Sequence, residues 1–200
     1  MKKLLLVLAG MLLLVACIPV EDFGAYWGKA GVDQALAGSW KHIAASPDQT
    51  REHGYGIGDI MHFVERDGAY EESFNEGKAP GDLPAGPYKT LVIGKYRFLA
   101  CGGKSGLIER YRVNGNELTF CDAFGPKQVE FVQANFPRVA NLKKNPAEGS
   151  YLVIKLFDDE VFQVLSKIPD TDDYWVCDTK YERVRGRESA QQAIRGAARP

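Results

Sequence analysis

The sequence predicts a mainly β protein built as a small closed antiparallel barrel, with a β-sandwich as the alternative. Three observations predict it. From Gly38 onward, short β-type runs are separated by clusters of Gly, Asn and Asp. Asn114-Gly115 stands between two alternating apolar/polar runs, the strongest short-range hairpin signal because turn residues there must accept positive φ. Helices do not alternate regularly with the strands, which disfavours a parallel α/β fold. Closing the barrel also removes the exposed edges that an open sheet would present.

The chain opens with Met1-Lys2-Lys3 and continues in an apolar run from Leu4 to Val15, interrupted only by Gly10. As a helix, about twelve residues at roughly 1.5 Å each span about 18 Å. A bilayer core of about 30 Å needs roughly twenty apolar residues. A positive start followed by a run of this length reads as a secretory signal peptide.

Leu14-Val15-Ala16-Cys17 then resembles the lipobox of bacterial lipoprotein precursors. The resemblance implies that the Cys17 thiol receives diacylglycerol, that cleavage follows Ala16, and that the freed amine is acylated. One acyl chain anchors only marginally, whereas several hold a protein permanently. The residue after the cysteine is Ile18, not the Asp associated with inner-membrane retention. The resemblance therefore implies lipid anchoring at the bacterial outer membrane, facing the periplasm.

Four segments follow: a signal peptide over 1–16, a lipidated arm over 17–37, a barrel over 38–184 and a basic tail over 185–200. In the arm, Phe23, Tyr26 and Trp27 share one face of a short helix at i, i+3 and i+4, a face suited to covering one end of the barrel. Strands are expected at Ser39–Ala44 and Asp59–Glu65, then at Tyr70–Phe74 after a tight turn at Arg66-Asp67-Gly68. The stretch from Glu76 to Pro87 is loop-like. Lys89–Cys101 is the longest β-type run, turned back by Gly102–Gly106. Leu107–Val113 and Asn116–Asp122 form the hairpin around Asn114-Gly115.

A two-residue turn there sets Arg112 opposite Glu117, Tyr111 opposite Leu118, Glu109 opposite Phe120 and Ile108 opposite Cys121. Alternation then points Tyr111, Leu118, Phe120 and Glu109 inward, and Arg110 and Arg112 outward. Lys127–Pro137 has helical spacing, with Val129, Phe131 and Val132 as its apolar residues. Leu142–Gly149 reads as a polar connection. Tyr151–Phe157 and Val161–Ile168 read as a second hairpin turning at Asp158-Asp159-Glu160, with Leu152, Ile154 and Leu156 buried. Tyr174–Tyr181 is the last strand. From Arg183 the chain turns basic, and the tail carries Arg185, Arg187, Arg195 and Arg199 against Glu188.

Charge is nearly balanced, with 25 basic and 26 acidic residues and a formal net charge of −1. Without Lys2 and Lys3 the net charge falls near −3, which gives no reason to expect nucleic acid as a partner. Beyond Cys17 the cysteines are Cys101, Cys121 and Cys177, at spacings that match no zinc pattern. Export permits one disulfide with one thiol left over; three buried thiols are the alternative.

Gly38-Ser39-Trp40, at the start of the first barrel strand, is similar to the Gly-x-Trp of lipocalins (calycins). The phrases Met61-His62-Phe63 and Tyr111–Leu118 also resemble bacterial lipocalin-like lipoprotein domains, over roughly Gly38 to Val184. The resemblance implies that Trp40 plugs one end of the barrel and that a cation from Lys180, Arg183 or Arg185 packs across its indole. Pro47 interrupts the first strand early, a departure from the family pattern.

No constellation supports an enzyme. His42, His53 and His62 lack metal-ligand spacing, and no Gly-x-Ser-x-Gly elbow is present. Gly103-Lys104-Ser105 lacks the rest of a phosphate loop. Asp170, Asp172 and Asp173 lack the glycine and distal Glu of a calcium loop. No catalytic residue, metal ligand or cofactor is assigned. A barrel interior is the default place for a small ligand. The ligand-binding candidates are Trp40, Phe63, Tyr96, Phe98, Glu109, Tyr111 and Phe120, with Leu152 and Ile154 beside them. The implied partners are a membrane, through the lipid on Cys17, and a small apolar ligand inside the barrel. In the alternative those side chains fill the barrel as core, and the partner is another envelope protein met by the aromatic arm or the Arg-rich tail.

Overall fold

The computed structural model describes residues 18–45, 56–74, 87–103, 105–122, 127–135, 140–145 and 149–184. The signal peptide over 1–16, Cys17 and the tail over 185–200 lie outside them. The elements in order are β1 (Ile18–Asp22), α1 (Ala25–Lys29), β2 (Gly38–Ala44), β3 (Ile60–Arg66), β4 (Ala69–Phe74), β5 (Tyr88–Ile93), β6 (Tyr96–Cys101), β7 (Gly106–Asn114), β8 (Glu117–Asp122), α2 (Gln128–Asn135), β9 (Ala140–Asn145), β10 (Gly149–Leu156), α3 (Asp159–Lys167) and β11 (Val176–Arg183).

Strands β2 to β8 and then β11 follow one another around a closed antiparallel barrel, with β6 pairing β7 and β11 pairing both β8 and β2. The expected closed barrel is present. β7 is long enough to serve two neighbours on one edge. Its Arg110–Asn114 half pairs with β8, while Gly106–Ile108 pairs with β1. β1 runs parallel to β10, which pairs with β9, so the sheet continues past the barrel as a flap.

Local chemistry explains the turns. Asp67 and Gly68 both take positive φ, 50° and 74°, the type I′ pattern that matches strand twist in two-residue hairpins. The next hairpin is differently centred. The sequence places its turn at Asn114-Gly115, but the chain turns at Gly115-Asn116. Gly115 alone has positive φ, 60°, as a type II′ turn with Gly in its first central position requires. Asn114 then faces Glu117, Arg112 faces Thr119, Tyr111 faces Phe120 and Arg110 faces Cys121. The pairing moves by an even step, so Tyr111, Leu118 and Phe120 remain inward and buried.

Three element assignments change. Lys89–Cys101 is two strands, because Gly94-Lys95 turns the chain and sets Ile93 against Tyr96. Of Leu142–Gly149, expected as a polar connection, residues 142–145 lie in strand β9 and Gly149 opens β10. Residues 161–167 lie in helix α3, with Ile168 just past its end. Asp158 caps it by accepting from the backbone N–H of Glu160 and Val161, at 3.0 and 2.9 Å. Val161, Val164 and Leu165 then bury one helical face. Val161, Val164, Leu165 and Ile168 fall at i, i+3, i+4 and i+7, so spacing and cap both favour helix over strand. With the hairpin gone, β10 lies in the flap; Val153 and Ile154 are buried and Leu156 is exposed.

Two cores result. The inner one draws on every barrel strand: Trp40, Phe63, Tyr70, Tyr88, Leu99, Tyr111, Phe120 and Tyr181 among others. The outer one lies between the far face of β5–β8 and a cover made of β1, β10, α3 and Trp175. Phe23 belongs to this cover, with its ring 5.6 Å from Trp27 and 6.1 Å from Phe157. The aromatic arm therefore packs on the flank of the barrel, and the end is closed by the residues that follow it.

Candidate functional site

That end is closed by the turn from Val32 to Ala37. Leu36 is fully buried, and its carbonyl accepts from Trp40 Nε1 at 2.8 Å. Arg183 lies with its guanidinium 4.0 Å from the Trp40 ring and donates to the carbonyls of Ala37 and Ala35, at 2.8 and 2.6 Å. The arrangement expected of Trp40 and a last-strand cation is thus present, with Arg183 as the cation. Asp33 ties the same turn to the wall. Its carboxylate accepts from Tyr111 at 2.8 Å and pairs with Arg97 at 3.0 Å, and its carbonyl accepts from Tyr70 at 2.7 Å. Burial, with the charges of Asp33 and Glu65, pushes the Tyr70 hydroxyl up to about 12. Burial and the bond to Asp33 likewise push Tyr111 up. Both phenols act as neutral donors.

The ligand-binding candidates divide between the two cores. Trp40, Phe63, Tyr111 and Phe120 point into the barrel. Glu109 shares their face by alternation and is half-buried. Tyr96, Phe98 and Ile154 belong to the outer core, so these three do not line the interior. The side chain of Leu152 is outside the described set. The interior candidates are tightly surrounded: relative exposure is 0% for Trp40, Tyr70 and Leu118, 1% for Tyr111 and 2% for Phe63. Any internal space able to admit a water-sized probe beside these rings would give them accessible surface. Phe120 keeps 7% of its surface and Glu109 is half-buried, so what exposure remains among the inward candidates lies at these two positions.

Arg110 is the largest departure from the sequence reading. Alternation turns it outward, and so it does point, but the outward face here is covered. Its side chain is 2% exposed, between the rings of Tyr96 and Trp175 at 4.2 and 4.5 Å from their centroids. Nη2 donates to Asp170 at 2.5 Å, while Nε and Nη1 have no hydrogen-bond partner. Asp170 also accepts from Arg112 at 2.6 Å. Desolvation pushes the Asp170 carboxyl up, but the bond and charge of Arg110 and the charges of Arg112 and Lys95 outweigh it and hold it below the ordinary carboxylate range. Desolvation lowers Arg110 from its usual value against the pull of Asp170.

The ladder between β6 and β7 ends at Arg97 and Tyr111. Beyond that pair lies a cleft of about 190 Å³ lined by Lys95, Tyr96, Arg97, Arg110, Tyr111, Arg112 and Val113. Sequence reasoning missed it. The covered outer face beside it did leave a signal: Phe98-Leu99-Ala100-Cys101 is apolar at consecutive positions, the mark of a strand buried on both faces.

Cys121 and Cys177 form a disulfide between β8 and β11, and Cys101 is buried in the inner core. Ser39 Oγ lies 2.8 Å from His62 Nδ1 on the outer side of β2 and β3, and burial lowers His62 from its usual value. Among the described residues no group of three His, Cys, Asp or Glu is placed to hold a metal. Asp173 pairs with Lys127 at 2.7 Å. Comparison with protein-family models, with curated proteins and with solved structures gives no match.

Proposed function

We propose that this protein is a non-enzymatic lipoprotein of the bacterial envelope, held at the outer membrane by lipid on Cys17 and working by contact through the outside of a filled barrel. The anchor is supported by the first seventeen residues alone: a positive start, an apolar run too short to span, and Leu14-Val15-Ala16-Cys17 in register. A lipocalin-like relationship is supported by Gly38-Ser39-Trp40 and by Arg183 over the Trp40 ring.

The observation that carries action from the surface is the burial of the inner rings. A small apolar ligand among Trp40, Phe63 and Tyr111 would have to part rings that are at most 2% exposed. Such ligands ordinarily occupy pockets of about 300 Å³ or more. A filled barrel supplies instead a stiff wall on which polar groups are held in fixed positions.

The anchor is tested by growing cells on labelled palmitate: the wild-type protein takes up label, and Cys17→Ser does not. Equal labelling of both forms, or of neither, rejects the anchor. Surface action is tested with a fluorescent fatty acid added to the purified protein, where no saturable binding is expected. Stoichiometric binding that Phe63→Trp or Tyr111→Trp abolishes would instead place the ligand inside.

A further inference from the structure

We infer that the cleft where β6 and β7 part is a binding site for a phosphate-type dianion, held by Lys95, Arg97 and Arg112 with Arg110 behind them. The inference does not depend on the anchor or on the filled barrel.

Charge is the first ground. Four cations line a cleft of about 190 Å³. Asp33 pairs with Arg97, and Asp170 pairs with Arg110 and Arg112. With all of them charged, the cluster holds an excess of two positive charges, which one dianion cancels.

The second ground is Arg110. Its guanidinium is withdrawn from water, yet Nε and Nη1 bond to nothing in the protein. Buried donors left without partners cost about 1–3 kcal/mol each, and such sites are rare enough to need a reason. Here the faces of Tyr96 and Trp175 and the carboxylate of Asp170 compensate the charge and hold the guanidinium in the wall of the cleft; its two unpaired donors stay closed to solvent, so Arg110 adds positive field and the direct bonds to the anion come from Lys95, Arg97 and Arg112. Guanidinium groups match the oxygens of a phosphate through paired, charge-assisted bonds.

Size is the third. At about 30 Å³ per water the cleft holds roughly six waters. That suits a phosphate with a short substituent and is too small for a whole lipid tail. Arg112 and Lys95 are exposed at the rim, so the anion enters from solvent or from a membrane surface. The shared chemistry is a phosphate monoester, whether free or as a lipid headgroup.

The test uses the full chain in nonionic detergent, titrated calorimetrically with inorganic phosphate in one arm and with phosphatidic acid in the same micelles in the other. Saturable one-to-one binding is expected in at least one arm, weakening as salt rises. Lys95→Gln combined with Arg112→Gln, both exposed, should weaken it about tenfold or more, as should Arg97→Gln. Lys41→Gln with Lys155→Gln, exposed cations elsewhere, should leave it within about twofold. Binding in the first arm assigns a soluble ligand, and binding in the second alone assigns a headgroup. No binding in either arm overturns the site, and so does binding that the cleft variants leave intact while circular dichroism shows them folded.

Discussion

Replacing Arg183 tests how the closed end of the barrel is held. The guanidinium packs 4.0 Å from the Trp40 ring and donates to the Ala35 and Ala37 carbonyls. The cation over the ring contributes about 1 kcal/mol at a half-exposed position. Each bond from a charged donor contributes about 1.5 kcal/mol at the low end of its range, which suits partial exposure. Water recovers part of this in Arg183→Ala, so the expected loss is about 3 kcal/mol. Arg183→Lys keeps a charge near the indole but loses the planar fork that reaches two carbonyls at once, and should cost about half as much. Urea unfolding followed by tryptophan fluorescence and far-UV circular dichroism gives both numbers. An Ala variant within about 0.5 kcal/mol of wild type, the range of an ordinary surface change, would refute the reasoning. So would a Lys variant as stable as wild type.

Gly106→Ala should prevent folding or cost more than about 3 kcal/mol, because a Cβ there would meet the Cys101 carbonyl oxygen at 1.8 Å, a clash with backbone that cannot turn aside; soluble yield and unfolding midpoint report it. Removing the disulfide as Cys121→Ser with Cys177→Ser should cost about 4 kcal/mol for a closed loop of 56 residues, read as a lower urea midpoint that reductant no longer shifts. Burial holds His62 neutral in the folded state, so the unfolded chain binds more protons just below about pH 6.5. Stability should therefore fall as pH drops from about 6.5, and His62→Gln should flatten that slope; an unchanged slope would mean that another group carries it.

The barrel was legible because its strands obey a period of two and its turns carry Gly, Asn and Asp where positive φ is needed. Inward positions at Tyr111 and Phe120 followed from that alternation, whereas Trp40 was placed by the likeness of Gly38-Ser39-Trp40 to the lipocalin pattern. What alternation cannot show is a second layer. It turns Arg110 outward correctly, but it does not reveal that Trp175 and α3 cover that face, nor that Tyr96 and Phe98 serve the outer core. The helix at Asp159–Lys167 was hidden for a different reason. Val161, Val164, Leu165 and Ile168 stand at i, i+3, i+4 and i+7, a helical face behind the capping Asp158, but reading Asp158-Asp159-Glu160 as a hairpin turn concealed both signals. Asp33 carried no sequence signal, since its three partners come from β4, β6 and β7 and meet it only once the barrel has closed.

Native mass spectrometry of the protein released gently from membranes addresses both parts of the proposed function in one spectrum. Lipid anchoring with a filled barrel predicts residues 17–200 plus covalent acyl groups, with no further apolar mass shed on unfolding. A chain without covalent lipid, or one that releases a stoichiometric lipid when it unfolds, would contradict it.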